Sequence, residues 1–281
     1  MKIFIVGLGL IGASYAEGLK KCGHSIYAYN RSQSVIKKAK QDKIIESDND
    51  ISYLSKADLI ILSLYPIHNI EFIKKHKHLL KPNQIITDVS GTKVEMIPRI
   101  IAELPDFVSY TSHHPMAGKE ISGYDAKDAN LFKDANFIIV KTSKSDNRDE
   151  NVLRSIAKDL KFDKITVTTP KIHDQLIAYT SQLTHVIAVS LVNSNRLEDI
   201  QNATGDSYRD LTRIAKINEV MWTELFLENK DALLNQMMHF ESELKKLRLL
   251  IQSNDQQKIK SYLKKAKETR IIFDEVTNEN I

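Results

Sequence analysis

The first twelve residues constrain the fold more than any other part of the chain. An apolar run, Ile3–Val6, leads directly into Gly7-Leu8-Gly9-Leu10-Ile11-Gly12, and a helical pattern follows. Gly7 permits a tight turn, Gly9 lets the backbone approach a pyrophosphate, and Gly12 lets helix and strand pack closely. The free N–H groups at the start of the helix favour phosphate. We therefore predict a dinucleotide site at residues 7–12; the alternative is a glycine-rich turn without a ligand.

Strand-like and helix-like segments alternate over residues 2–168. Predicted strands are Ile3–Val6, Ser25–Tyr29, Asp58–Leu62, Gln84–Asp88, Phe107–Tyr110, Asn136–Val140 and Ile165–Thr168. Predicted helices are Ile11–Cys22, Val35–Lys40, Ile70–Leu79, Val94–Glu103 and Val152–Leu160. Several of the strands are continuous apolar runs, which is typical of strands buried on both faces. The alternation predicts βαβ units and a parallel sheet of the Rossmann type.

The pattern becomes purely helical after Pro170, with predicted helical stretches at 171–195, 208–216, 218–252 and 255–272. Proline suits the first turn of a helix. We therefore predict an α/β fold of two domains: a dinucleotide-binding Rossmann domain at 1–169 and an all-α substrate and dimerisation domain at 170–281. The long apolar helices indicate that the second domain pairs with another copy of itself as a homodimer.

Composition excludes several classes of function. The 40 basic and 36 acidic residues are interspersed, without the basic stripe that is typical of nucleic-acid binders. No uninterrupted apolar run reaches the roughly 18 residues of a membrane span, so we expect no membrane contact. The single cysteine, Cys22, cannot form an internal disulfide, which fits a cytoplasmic protein. We expect no bound metal.

The end of the second predicted strand bears on the choice of cofactor. NAD sites usually place Asp or Glu there to bond the ribose 2′-hydroxyl, whereas this chain has Tyr29-Asn30-Arg31-Ser32. Asn30 does not repel a 2′-phosphate, Arg31 would pair with it, and Ser32 would donate to it. The sequence therefore favours NADP, with NAD still possible. The alternative is that Arg31 is a solvated loop charge.

Two adjacent histidines, His113 and His114, follow another predicted strand. Ligands of open α/β folds bind at this end of the strands. Pro115 and Gly118 predict a fixed loop around the two histidines.

The chain resembles the prephenate dehydrogenase family, which includes arogenate dehydrogenases, over nearly its whole length. The segments that carry the resemblance are GLGLIG at 7–12, DVSGTK at 88–93, HPMAGKEISG at 114–123, SQLTH at 181–185, and RDLTRIA with a following Trp at 209–222. The resemblance implies oxidative decarboxylation of prephenate to 4-hydroxyphenylpyruvate in tyrosine biosynthesis, or of arogenate to tyrosine. Hydride leaves the hydroxyl-bearing ring carbon for the nicotinamide, carbon dioxide departs, and the ring becomes aromatic.

The resemblance also implies roles for individual residues. His114 corresponds to the catalytic group that accepts the hydroxyl proton, so its neutral form should be active. Ser90 or Thr92 would support His114; many relatives place a serine directly after the glycine, and here the order is Ser90-Gly91-Thr92. The implied substrate-binding residues are Arg213 and His185 for carboxylates, Glu120 near the substrate side chain, Trp222, and Gln182. Trp222 is equally well explained as a helix core residue. Gln182 stands where some relatives have histidine and is either a specificity residue or a solvated neighbour.

Two other functions compete with this interpretation. One is a 3-hydroxyacid dehydrogenase, which would leave the segment at 114–120 unexplained. The other is a non-catalytic nucleotide sensor, against which the intact His114, Glu120 and Arg213 argue.

Overall fold

The N-terminal part of the chain forms a five-stranded parallel sheet. The computed structural model describes residues 1–119 and 121–278. The strands of this sheet are Lys2–Val6 (β1), Ser25–Tyr29 (β2), Leu59–Leu62 (β3), Ile85–Asp88 (β4) and Ser109–Tyr110 (β5). They lie in the order β2-β1-β3-β4-β5, and every neighbouring pair is parallel. The expected Rossmann-type sheet is confirmed, with strand starts displaced by up to two residues.

The sheet is buried on both faces because its strands are apolar at successive positions. Ile3 and Ile5 of β1 lie in one apolar core. Phe4 and Val6 point to the opposite face and lie in a second core. Successive side chains of a strand alternate between faces, so a continuous apolar run supplies both cores.

Five helices connect or flank the strands of this region. They are Leu10–Lys21 (α1), Gln33–Gln41 (α2), Pro66–His76 (α3), Met96–Ile101 (α4) and Asn147–Asp159 (α5). Pro66 occupies the first turn of α3, where its missing N–H costs nothing. Asp146 and Asp149 form a reciprocal capping box at the start of α5. The expected helix at Val94–Glu103 is shorter in the structure.

A second, three-stranded sheet corrects the sequence prediction. It consists of Ser112–Pro115 (β6), Phe137–Val140 (β7) and Ile165–Thr168 (β8) in that order. β6 is antiparallel to β7, with His114 opposite Ile138, and β7 is parallel to β8. The histidine segment was expected to be a loop after a strand; it is itself a strand. Its ladder partner lies more than twenty residues away, and a polar four-residue segment has no period that would indicate it.

Helices follow β8 to the end of the described chain. They are Pro170–Ile177 (α6), Leu183–Asn193 (α7), Asp206–Thr212 (α8), Glu219–Glu228 (α9), Lys230–Gln252 (α10) and Gln256–Asn278 (α11). A π-helical turn, Ala178–Gln182, separates α6 from α7. Residues 1–230 form one compact unit and residues 231–281 another. Helices α6–α9 therefore belong to the same compact unit as the sheets, and the boundary at 169/170 stays a prediction.

The run Pro170–Asn193 is long and apolar enough to cross a membrane by length and composition alone. It is not an uninterrupted apolar run, because Lys171, His173 and Asp174 lie within it, and the expectation of no membrane contact stays a prediction. Core helices of globular proteins meet the same criterion. Here the run carries buried Asp174, which accepts from the backbone N–H of Lys93 and Val94. Buried Gln182, at the end of the π-helical turn, donates to the Leu225 carbonyl. These hydrogen bonds join the run to the rest of the first unit.

The second unit contains α10 and α11. Tyr262 of α11 donates a hydrogen bond of 2.7 Å to the Glu243 carboxylate of α10. Many apolar side chains of the two helices are exposed on the single chain, among them Leu234, Met238, Leu244, Leu249, Leu263 and Ile272. Exposed apolar surface of this kind is typical of an interface with another protein.

One buried ion pair joins strands of the two sheets. Lys93, which follows β4, donates to Asp88 Oδ1 at 2.8 Å and to the His113 carbonyl of β6 at 2.8 Å, and both charged side chains are fully buried. Tyr110 of β5 donates to the other carboxylate oxygen. Burial alone would raise the pKa of Asp88. The Lys93 ammonium and the hydrogen bonds outweigh burial and hold that pKa below its usual value.

Lys93→Met should strongly destabilise the fold, because it leaves the Asp88 carboxylate buried without a counter-charge. The expected loss is about 3–5 kcal/mol in the free energy of unfolding, measured by urea denaturation. Lys21→Met, which breaks the exposed Lys21–Glu17 pair, is the matched control and should change stability little. Equal effects of the two substitutions would contradict a structural role for the buried pair.

Candidate functional site

The glycine loop after β1 has the geometry of a phosphate cradle. Gly7 has a φ of +95°, and a Cβ there would lie 2.6 Å from the Leu64 side chain. A Cβ on Gly12 would lie 2.0 Å from the Gly7 carbonyl oxygen, so helix α1 and the loop can pack this closely only with glycine. A Cβ on Gly9 would meet nothing within 4 Å. Gly9 precedes α1 without a side-chain cap, so the helix N–H groups are available to a phosphate.

Asn30 connects the end of β2 to this loop. Its side-chain oxygen accepts from the backbone N–H of Leu8 at 3.0 Å, and its amide nitrogen donates to the Ser32 carbonyl at 3.3 Å. Asn49 holds the Asn30 backbone through both N–H and C=O. The Asn30 amide therefore orders the glycine loop, which gives it a role that the sequence did not indicate.

Arg31 and Ser32 follow Asn30 on the exposed surface. Within residues 1–119 and 121–278, Arg31 has neither an ion pair nor a hydrogen bond, and Ser32 Oγ lies 2.7 Å from Ser34 Oγ. Ser32 precedes α2 without a side-chain cap. The arrangement places one cation and two hydroxyls beside the glycine loop.

The two adjacent histidines differ in their surroundings. Both ring nitrogens of His113 are engaged, Nε2 at 2.8 Å from the Tyr15 hydroxyl and Nδ1 at 2.6 Å from the Thr87 hydroxyl. Its fully buried ring stacks on Phe137 at 4.7 Å between centroids. Burial and the nearby Lys93 lower the pKa of His113 to about 3. His113 is therefore a neutral core residue.

His114 is half-buried and begins a row of three polar side chains. Its Nδ1 lies 2.9 Å from Nε2 of His173. Nδ1 of His173 lies 2.6 Å from Oδ1 of Asp174. Burial, followed by His173, Lys93 and His113, lowers the pKa of His114 well below its usual 6.5. The imidazole is therefore neutral at neutral pH, as a proton acceptor must be.

Neither hydroxyl that was expected to support His114 is bonded to it. Ser90 Oγ accepts from the Asn69 side chain at 3.2 Å. Thr92 Oγ1 donates to the carboxylate of Glu228 on α9. The structure gives His114 a histidine partner instead, because α6 brings His173 against β6.

His185 and Trp222 lie together in the helical part of the first unit. Their rings are 3.7 Å apart between centroids, and Nδ1 of His185 donates to the Ser181 carbonyl at 2.9 Å. Trp222 also contacts Phe226. Arg213 begins a short 3₁₀ turn, Arg213–Ala215, that packs against α7. These three positions share one region, and their roles in binding substrate stay predictions.

Gln182 is buried, not solvated. Its amide nitrogen donates to the Leu225 carbonyl at 2.8 Å, and its oxygen accepts from the Asn229 side chain at 2.7 Å. Asn229 also donates to the Asp174 carbonyl at 2.9 Å. Gln182 and Asn229 thus join the His185 region to the row at His114. Glu120 lies outside the described residues.

Sequence reasoning missed His173 and Asp174. Both lie in the first turns of α6, which begins at Pro170, and both are buried. A His-Asp pair in a helix is ordinary in itself. The one available signal is that two ionisable residues interrupt a largely apolar helical segment. Ionisable residues in such a segment are seldom buried unless they are paired.

Comparisons with known proteins agree with this architecture. Residues 15–165 match the family model of the prephenate dehydrogenase nucleotide-binding domain, and residues 169–265 match that of the prephenate dehydrogenase dimerization domain. A prephenate dehydrogenase of Lactococcus lactis subsp. cremoris is 30% identical over 280 residues, which cover 96% of this chain and 76% of that protein.

Two solved structures share the whole fold. Prephenate dehydrogenase from A. aeolicus, in complex with hydroxyphenyl propionate and NAD+, has a TM-score of 0.87 and 28% identity, covering 97% of this chain and 98% of that one. Synechocystis arogenate dehydrogenase has a TM-score of 0.84 and 29% identity, covering 97% and 100%.

Substitution of two glycines should separate packing from ligand binding. Gly9→Ala meets open space, so it should change stability little but weaken the binding of NADP+ and NAD+, measured by titration. Gly12→Ala overlaps the Gly7 carbonyl and should cost about 1–3 kcal/mol in unfolding free energy, as overpacking does. Wild-type cofactor affinity in Gly9→Ala would contradict the cradle.

Proposed function

The chain belongs to the prephenate dehydrogenase family, and we propose that it catalyses oxidative decarboxylation of prephenate to 4-hydroxyphenylpyruvate in tyrosine biosynthesis. The observation that carries the proposal is the neutral His114, held through Nδ1 by His173. A bound nicotinamide would accept hydride from the hydroxyl-bearing ring carbon. The open position at Gly9 and the uncapped start of α1 fit the pyrophosphate of such a cofactor.

His114 supplies the proton chemistry. Its Nε2 accepts the proton of the substrate hydroxyl, which raises electron density at the carbon that loses hydride. The ring carboxylate then leaves as carbon dioxide, and its bonding pair completes the aromatic ring. The phenolate oxygen that results takes the proton back from His114, so the residue ends the cycle neutral.

The helical region holds the substrate. Arg213 binds a carboxylate, since a planar guanidinium forms two parallel hydrogen bonds to it. His185 contacts a carboxylate, and Trp222, whose ring lies against that of His185, contacts the substrate ring. The family resemblance supports a role for Glu120 in binding the substrate side chain. Gln182 acts on specificity through its bonds to Leu225 and Asn229.

Arogenate is the alternative substrate, since it shares the ring chemistry of prephenate. The likeness to Synechocystis arogenate dehydrogenase supports this alternative. We further propose that the protein works in the cytoplasm as a homodimer. The match to a dimerization domain at 169–265 and the exposed apolar side chains of α10 and α11 support the dimer.

For the cofactor we propose NADP in preference to NAD. Arg31 is exposed beside the loop, with the hydroxyls of Ser32 and Ser34 next to it. Asn30 stands at the strand end where NAD sites usually have an acid. Its amide is engaged with Leu8 and Ser32 and carries no negative charge that would repel a 2′-phosphate. The A. aeolicus relative was solved with NAD+, and NAD is the alternative here.

The direct experiment mixes purified protein with prephenate or arogenate and either cofactor and follows the absorbance of the reduced nicotinamide. We expect turnover of prephenate. His114→Asn should lower kcat by about 10²–10⁴, the usual share of a general base, whereas His78→Asn on the surface should not. Absence of reduced cofactor with both substrates, in a folded protein, would overturn the proposed function.

Arg31→Ala tests the cofactor preference. It should raise KM for NADP+ by about tenfold or more, since a charge-assisted pair contributes about 1.5–3 kcal/mol, and leave KM for NAD+ nearly unchanged. The measurement is kcat/KM for both cofactors in wild type and variant. A wild-type preference for NAD+ would place Arg31 in solvent and reject the proposal.

A further inference from the structure

The row that begins at His114 has a direction fixed by obligatory donors. Asp174 accepts from the backbone N–H of Lys93 at 3.0 Å and of Val94 at 2.8 Å. It also takes the Nδ1 hydrogen of His173 at 2.6 Å. A backbone N–H can only donate, so the Asp174 carboxylate is the acceptor end of the row.

The tautomers of both histidines follow from this end. The neutral ring of His173 carries its one hydrogen on Nδ1, so its Nε2 is an acceptor. His114 must then donate through Nδ1–H across the 2.9 Å contact. The remaining nitrogen of His114, Nε2, carries the lone pair. The structure therefore assigns positioning roles to His173 and Asp174: they hold His114 in the tautomer whose Nε2 takes the substrate proton, an inference that rests on the proposed function.

The row also stabilises the positive charge that develops on His114. When Nε2 takes the hydroxyl proton, the positive charge is shared across the Nδ1–Nε2 contact with His173, whose other nitrogen faces Asp174. The same site faces Lys93 after β4, His113 on β6 and Asp88 on β4. Lys93 disfavours the positive charge, and Asp174 is the carboxylate in the row that offsets it.

Burial makes the arrangement specific. His173 is fully buried and Asp174 is 2% exposed, so water does not readily replace either partner. The two hydroxyls that the family resemblance implied as supports of His114, Ser90 and Thr92, are bonded to Asn69 and Glu228 instead. The position of His114 therefore depends on α6.

Two substitutions test the inference. Asp174→Asn removes the negative charge, so it should lower kcat by at least about tenfold and move the acid limb of the kcat–pH profile to lower pH, because protonating the pair becomes harder. His173→Gln leaves the bonds from Asp174 to Lys93 and Val94 in place. It should also lower kcat at least about tenfold, with KM for substrate within about threefold, since His173 does not touch substrate.

Thr87→Val is the matched control, because it removes the same kind of buried bond from the neighbouring His113. It should lower the melting temperature without moving the acid limb. An Asp174→Asn enzyme with an unshifted acid limb would overturn the inference, and so would a His173→Gln enzyme with wild-type kcat. In either case turnover by the wild-type enzyme would still support the proposed function. If Asp174→Asn does not fold, His173→Gln decides. No turnover by wild type would overturn both.

Discussion

The hydrogen bonds to the Asp174 carboxylate determine how the helical part of the first unit meets the sheets. Three donors converge on it: two backbone N–H groups after β4, and the ring of its neighbour His173. A buried carboxylate requires such compensation. These hydrogen bonds join α6 to the loop after β4. They also determine which nitrogen of each histidine, His114 and His173, carries the hydrogen. The packing of α6 and the proposed proton transfer at His114 therefore depend on the same carboxylate.

The surrounding charges tune this arrangement. Lys93 forms an ion pair with Asp88 and donates a hydrogen bond to the His113 carbonyl of β6. It therefore holds β6 against β4. Burial is the main cause that lowers the pKa of His113 and of His114, and the Lys93 charge adds to it, so both rings are neutral. A base that must accept a proton needs this neutral state, and a low pKa returns the proton readily.

Much of the fold was readable from the sequence, because the relevant signals are local. The apolar run before Gly7 and the open position at Gly9 follow from the motif itself. By contrast, β6 depends on pairing with β7, and no local period marks it. The row His114–His173–Asp174 joins residues about sixty positions apart. The family resemblance implied Ser90 or Thr92 as the support of His114, whereas packing of α6 supplies His173.

Nitrogen NMR of protein with ¹⁵N-labelled imidazole rings measures the tautomer of His114 directly. We expect a neutral His114 at neutral pH, with its hydrogen on Nδ1 and with Nε2 unprotonated. A hydrogen on Nε2, or a doubly protonated ring, would contradict it.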